Sequence, residues 1–376
     1  MTSDFKRQVL RVRLKIEEEQ YDEALADLEA LEPATPEEQK ELQYLRAWYL
    51  IQMRRWDEAI QFLADICPSE EVDKEWDDKD HSERERRAYY LLWLGQAAVN
   101  LSLYNDAARH YTHCLKILNM RRVHLPRLRI KALYGLGMTC IMNGLFTVAI
   151  QHDTEALRVC HKENLLEDLP DIYYGLCDAY RQAGKFEQAY DYGQKALALY
   201  KERLDREQEC RIQNLLGRVA FLQGEHQQAT DHYMESISLA VLLNMPSMQF
   251  INFVALAELR RDEGRLEEAR SFCSRAEEVA RQMRDDHHLF GMMHIACGKI
   301  SLTEAERAEG EERTRLLREA LNEFLQAEQK LKQTQAGMHS SELYGHLAQI
   351  NEALGNSKEA LAYWKLACNV VPQREM

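Results

Sequence analysis

The segment Tyr134-Gly135-Leu136-Gly137-Met138-Thr139-Cys140 opens like a dinucleotide-binding loop. Such a loop needs a third glycine for close packing and a strand ahead of it. Cys140 stands at the third glycine seat and no strand pattern precedes the segment, so the glycines read as helix-packing residues. Several imidazoles invite a metal reading. His110 and His113 are three apart beside Cys114, which puts both rings on one helix face, but zinc needs two further ligands and none can be located. His287 and His288 follow Asp285-Asp286, and adjacent side chains on a helix point apart, so a polar turn is the better reading. Cys160-His161 reads as one core and one surface residue. Phosphate loops, HExxH and GxSxG elements are absent. The nine cysteines are odd in number and form no CxxC pair. Cys140, Cys177 and Cys297 lie in helical runs, so reduced core thiols in a cytoplasmic protein are expected. The residues point to no metal, no cofactor and no catalytic centre.

Helices must carry these side chains. Of the 376 residues, 45% are hydrophobic and 29% charged, enough to bury a sizeable core. A chain this long is expected to be several domains or a repeat array. With 7 Pro and 16 Gly against abundant Ala, Leu, Glu, Gln and Arg, strong helix formers dominate. The formal net charge of −14 repels phosphate backbones, so neither nucleic acid nor an anionic membrane is an expected partner. No run of 18 apolar residues occurs, and Met1 to Arg7 leads into a charged helix pattern rather than a signal segment.

One phrase recurs along the chain: a glycine, an aromatic or apolar residue two later, and an alanine three further on. It reads Gly144, Phe146, Ala149; then Gly184, Phe186, Ala189; then Gly224, His226, Ala229; then Gly264, Leu266, Ala269; and Gly355, Ser357, Ala360. Degenerate copies hold Ala24, Ala59, Ala107 and Ala320. The alanines are spaced 35, 48, 42, 40, 40, 40, 51 and 40 apart. Three successive intervals of 40 predict a repeat array. The long intervals fall at the acidic stretch Pro68 to Ser82 and at Ala305 to Arg315, read as extended helix ends plus a turn. Each repeat reads as two amphipathic helices. In the fourth, Ile130, Leu133, Leu136, Gly137 and Cys140 share one face, Gly144 stops the helix, and Phe146, Ala149, Ile150, Ala156 and Leu157 line the second. Such a pair buries its apolar face only by stacking on neighbours. The predicted fold is all-α, an α-solenoid of about nine helix-turn-helix repeats. The whole of 1–376 is expected to form one solenoid: degenerate repeats and an acidic loop over 1–82, regular repeats over 83–282, and C-terminal repeats with an insertion over 283–376.

The pattern resembles the tetratricopeptide repeat. Leu94-Gly95, Leu136-Gly137 and Leu216-Gly217 match the family's first-helix pair, and Tyr180 its first-helix aromatic. Ala107 with Tyr111, Ala149 with Ala156, Ala189 with Ala196, and Ala360 with Trp364 and Ala367 match the second helix, and Pro372 the closing proline. The period is similar to the long-repeat subclass of kinesin light chains, LGN-type scaffolds, Rap-type regulators and MalT-like activators. Repeats one, two and eight depart from the pattern, lacking the Leu-Gly pair or the turn glycine.

The resemblance implies a right-handed superhelix whose first helices line a concave groove that binds a protein or peptide. Groove-facing positions are then Lys131, Tyr134, Met138 and Ile141 in the fourth repeat and Asp171, Tyr174, Asp178 and Arg181 in the fifth. In the sixth they are Arg211, Asn214, Arg218 and Phe221, and in the seventh Ile251, Val254, Glu258 and Arg261. Arginine forks hold carboxylates, asparagine pairs with peptide backbone, and aromatics supply desolvated area. The expected role is a non-catalytic scaffold or adaptor in regulation or complex assembly. The alternative is a regulator similar to the Rap phosphatases, acting on a response regulator and sensing a peptide, for which Gln39 and Gln43 would be the water-positioning candidates. Trp76 in the acidic stretch is a further candidate anchor. Trp364, Leu366 and Val370 offer an apolar surface for a homodimer through the terminal repeats.

Overall fold

The computed structural model describes residues 3–67, 81–120, 123–283, 287–332 and 340–369. The acidic stretch with Trp76, and Val370 and Pro372, lie outside the described residues. Among the described residues every regular element is helical: eighteen α-helices and a short 3-10 turn at Leu166–Asp168.

The chain forms two compact bodies, Met1–Ala183 and Gly184–Met376. The N-terminal body holds α1 (Ser3–Glu17), α2 (Tyr21–Glu29), α3 (Pro36–Gln52), α4 (Trp56–Ile66), α5 (His81–Asn100), α6 (Tyr104–Leu118), α7 (Pro126–Met142), α8 (Phe146–Lys162) and α9 (Leu169–Gln182). The C-terminal body holds α10 (Phe186–Glu202), α11 (Arg206–Leu222), α12 (His226–Leu242), α13 (Pro246–Asp262), α14 (Leu266–Ala280), α15 (His287–Arg307), α16 (Gly310–Leu331), α17 (Ser340–Ala353) and α18 (Ser357–Asn369). In each body the odd-numbered helices are the first of a repeat. Within each body α1, α3, α5, α7, α11, α13, α15 and α17 touch their own second helix, and first helices also touch the next first helix: α1–α3, α3–α5, α5–α7 and α7–α9 in one body, α11–α13 and α13–α15 in the other. That double contact is what stacking of amphipathic pairs produces.

The recurring alanines sit where the second helix crosses its neighbours. Eight of them, from Ala24 to Ala320, are fully buried, and Ala360 is 5% exposed. Five residues ahead of the alanine the backbone turns left-handed. Gly144 takes this seat with φ +77°, which it adopts without strain, and its carbonyl-side neighbours close the helix through Gly144 N–H to Ile141 O at 3.0 Å. In the first three repeats Glu19, Arg54 and Ser102 occupy the same seat with φ of 59°, 55° and 61°. The degenerate repeats therefore lose the glycine and keep the turn. A second left-handed seat joins repeats at Asn164, Leu204 and Asn244, forty residues apart. In repeat eight α15 and α16 run to 21 and 22 residues with a turn at Gly310, which accounts for the longest spacing.

A left-handed L-residue costs about 1–2 kcal/mol. Leu204 is 71% exposed, so it has no packing to offset that cost. Leu204→Gly is expected to stabilise the protein by about 0.5–1 kcal/mol after the extra unfolded-state entropy of glycine. Urea midpoints of the two proteins check this, and an unchanged or lower midpoint would contradict it.

The glycines of the first helices make room for large side chains of the second. A Cβ on Gly95 would come within 2.6 Å of the Tyr111 ring, one on Gly217 within 2.6 Å of Tyr233, and one on Gly298 within 3.0 Å of Phe324. Gly135 also faces Tyr111, whereas Gly137 faces the carboxyl of Asp153. The Gly135–Gly137 segment is thus a helix-packing surface. Ile141 and Val254, read from sequence as groove-facing, are 2% and 7% exposed and belong to the core. A first helix flanked by first helices on both sides keeps only a narrow strip of its surface free.

Candidate partner-binding faces

In the N-terminal body, α7 and α9 carry the candidates. Tyr134 and Met138 on α7 are half-buried, Met138 against the apolar core. Tyr174 and Asp178 on α9 are half-buried beside them. The Tyr134 phenol is held well above its usual pKa, first by burial and then by Asp171, Tyr174, Asp153 and Asp178, so these acidic groups converge on its ring. Arg181 does not present a free fork. It is 7% exposed, and its Nε and Nη2 both donate to Asp178 Oδ1, at 3.0 and 2.5 Å. This face is aromatic and acidic, with its arginine already committed.

In the C-terminal body, α11 presents Arg211, Asn214, Arg218 and Phe221. Arg211 and Arg218 are exposed; Arg211 pairs with Glu207 one turn away at 2.8 Å, a contact open to solvent and worth little. Asn214 is 8% exposed and is the outer end of a buried chain. Its Nδ2 donates to Asn252 Oδ1 at 2.9 Å. Asn252 donates to Ser236 Oγ at 2.8 Å and Met248 O at 2.7 Å, and Ser236 Oγ donates to Cys210 O at 2.8 Å. The chain ties α11, α12 and α13 together and fixes the rotamer of Asn214, a buried polar network with each link satisfied. Asp205 caps α11 by accepting from Gln208 N–H at 3.1 Å. Phe221 lies half-buried against the His226 ring, centroids 6.1 Å apart.

On α13, Glu258 is half-buried and faces Lys299 of α15 at 3.9 Å; Lys299 also pairs with Glu342 of α17 at 2.6 Å. These three charges run across successive first helices, and the nearby His346, 3.7 Å away, opposed by burial and joined by Lys299, brings the Glu342 pKa down to about 2. Arg261 is turned onto its neighbour Asp262 at 2.5 Å. Sequence reading placed Glu258 and Arg261 but missed Lys299 and Glu342, whose repeats lack a turn glycine five residues ahead of the alanine or follow the long insertion. It also missed the chain Gln213–His232–Tyr190. With Gln213 Oε1 accepting at 2.6 Å, His232 Nδ1 carries the proton, and Tyr190 hydroxyl lies 3.4 Å from Nε2.

Two cavities lie away from these faces. One of about 590 Å³ in the C-terminal body is lined by Arg270, Arg307 and Arg315 with Glu304, Glu312 and Glu319, whose charges cancel. The other, about 560 Å³, lies by the α6–α7 connection. Cys114 is buried and its thiol donates to Ala88 O at 3.2 Å, Cys160 is buried while His161 is exposed, and no group of three metal-binding side chains occurs among the described residues. His287 and His288 both lie in the first turn of α15.

The tetratricopeptide repeat profile matches residues 168–240. No curated protein matches the chain by sequence. Among solved structures, a Rap protein complexed with Competence and Sporulation Factor superposes with a TM-score of 0.67 at 13% identity, covering 98% of this chain and 97% of that one. NprR in complex with its cognate peptide NprX gives 0.60 at 16%, covering 98% and 99%. Aspartyl phosphate phosphatase F from Bacillus subtilis gives 0.58 at 11%, covering 100% and 98%. At these identities the likeness is one of fold. Paired helices, buried crossing alanines and left-handed turns agree with it: the chain carries tetratricopeptide-type repeat sequence over residues 168–240, within a helical array whose fold resembles those of Rap and NprR.

Proposed function

We propose that this protein is a non-catalytic peptide- or protein-binding regulator of the cytoplasm, and that the α11–α13 face holds the ligand. The observation that carries the reading is Asn214. One amide hydrogen goes to Asn252, which braces the Asn214 carboxamide on the strip of α11 that also carries the exposed Arg211 and Arg218. A fixed asparagine pairs with the backbone of an extended peptide, the exposed arginines take its carboxylates, and Phe221 contributes desolvated area. Support comes from the fold neighbours: the Rap structure contains Competence and Sporulation Factor, and NprR its cognate peptide. No helix among the described residues is long and apolar enough to cross a membrane.

Affinity capture from native lysate with mass spectrometry identifies the ligand. Arg218→Glu is then expected to weaken its binding by about tenfold or more, from a lost charge-assisted contact and a new repulsion, with the circular dichroism melt unchanged. An affinity equal to wild type would sink this placement.

The competing reading is a phosphatase acting on a response regulator; the Bacillus subtilis neighbour is named an aspartyl phosphate phosphatase. Gln39 is exposed and Gln43 half-buried on α3. Incubation with a phosphorylated receiver domain separates the two, since accelerated phosphate release would overturn the non-catalytic reading. The exposed Leu361, Trp364 and Leu366 of α18 suit self-association through the last repeat.

A further inference from the structure

Four residues after the anchoring alanine, the second helices of repeats three, six, seven and eight bury a side chain, whereas repeat five has Gly193 there and repeat nine the partly exposed Trp364. At this seat stand Tyr111, Tyr233, Cys273 and Phe324, all buried and apolar in character. In the fourth repeat the same seat holds Asp153, which is 0% exposed. Neither of its carboxyl oxygens has a hydrogen-bond partner. Oδ1 lies against Gly137 of α7. On the other side, a Cβ on Gly175 of α9 would come within 2.9 Å of Asp153 Oδ2 and, equally, 2.9 Å of Tyr134 Cε2. The carboxyl is therefore wedged where α7 meets α9, with the Tyr134 ring beside it.

The groups around it offer no counter-charge. From α7 come the Tyr134 phenol and the Cys140 thiol, both raised in pKa chiefly by burial and further by Asp153. From α9 comes Asp178, with Asp171 and Tyr174 beyond Tyr134, and Arg181 on the same helix is taken by Asp178. On α8 itself the adjacent His152 is half-buried and its pKa is lowered by burial, so it stays neutral. Burial and, second, Asp178 hold the Asp153 carboxyl far above the usual carboxylate range. An ionised carboxylate without partners is not sustainable in such a site; it either takes a proton or finds water.

We propose that Asp153 is a protonation-controlled latch on the α7–α9 contact. Protonated, the acid packs as the aromatic does in sister repeats and the contact is shut. Opening separates α7 from α9, hydrates the carboxyl and releases one proton to solvent, with no covalent bond changed. The sign follows from linkage: the shut form binds one more proton than the open form, so rising pH favours opening. The latch controls the face that carries Tyr134, Tyr174 and Asp178, and it is independent of the ligand proposed for α11.

Hydrogen exchange of the full-length protein tests this, with opening constants corrected for the intrinsic pH dependence of exchange. Between about pH 5 and 8, opening of α7 and α9 amides is expected to grow about tenfold per pH unit until the shut-state pKa is reached. Amides of α11 and α13, packed around Tyr233, are expected to stay level in the same samples. Asp153→Asn, a neutral isostere, is expected to flatten the α7–α9 response. Level α7–α9 opening in the wild type, or an equal slope in Asp153→Asn, overturns the proposal. Should that variant not fold, the wild-type comparison of α7–α9 with α11–α13 decides alone. Infrared spectra of aspartate-labelled wild-type protein at neutral pH are expected to show one protonated carboxyl band, and its absence would overturn the latch as well.

Discussion

Tyr111→Ala is expected to cost about 3–5 kcal/mol of stability, the range for deleting a buried aromatic ring from a core. The ring is 4% exposed and bridges three helices, seated against Gly95 on α5 and Gly135 on α7 while belonging to α6. Cavities of this kind are costly when neighbours cannot collapse into them. Glycines have no side chain to move, and the α5 and α7 backbones are held by their own repeats. Tyr111→Phe keeps the ring and is expected to lose under about 1 kcal/mol, since the change conserves volume. Urea unfolding of both variants measures the difference, and exchange of α5–α7 amides shows whether the loss is local. An alanine variant within about 1 kcal/mol of wild type would mean that the glycine–aromatic seats do not hold the array together.

Acidification is expected to weaken the fold from about pH 6.5 downward, with His110 the largest single contributor. Burial, and second the nearby Arg109, lower its pKa to about 4 in the folded protein. The unfolded chain binds this proton near pH 6.5 and the folded chain does not, so stability is present above that pH and falls as pH drops toward 4. The slope is about 1.4 kcal/mol per pH unit, or about 3 kcal/mol over the window. His152 and His232 shift in the same direction by burial and steepen the loss. Asp153 acts oppositely, because its raised pKa makes the folded state bind the extra proton. His110→Gln is expected to flatten the decline. Thermal midpoints of wild type and variant at a series of pH values check this, and parallel curves would show that His110 is not the group responsible.

The array was legible in the chain because its determinants are local. An alanine at each crossing and, in every repeat but the eighth, a turn five residues earlier recur at fixed offsets, and all nine alanines are buried. Even where the turn glycine is missing, Glu19, Arg54 and Ser102 adopt the same left-handed backbone, because the helices on either side dictate it. The chemistry of the faces was half legible. Helical spacing placed Arg211, Asn214 and Arg218 on one strip of α11, since every third or fourth residue shares a side. Tertiary structure alone decided which of these side chains were already spoken for.

Arg181 was read as part of a carboxylate clamp and is committed to Asp178; Asn214 was read as a partner for peptide backbone and is braced by Asn252, 38 residues away. Asp153 carries no sequence mark separating it from a surface carboxylate, yet it occupies a core seat. Periodicity along one helix records which side faces inward, and the sequence by itself determined that much. Which neighbour a side chain meets depends on the lateral stacking of repeats about forty residues apart, where the small glycines of α7 and α9 admit a carboxyl in place of a ring. That pairing arises only once the helices are packed.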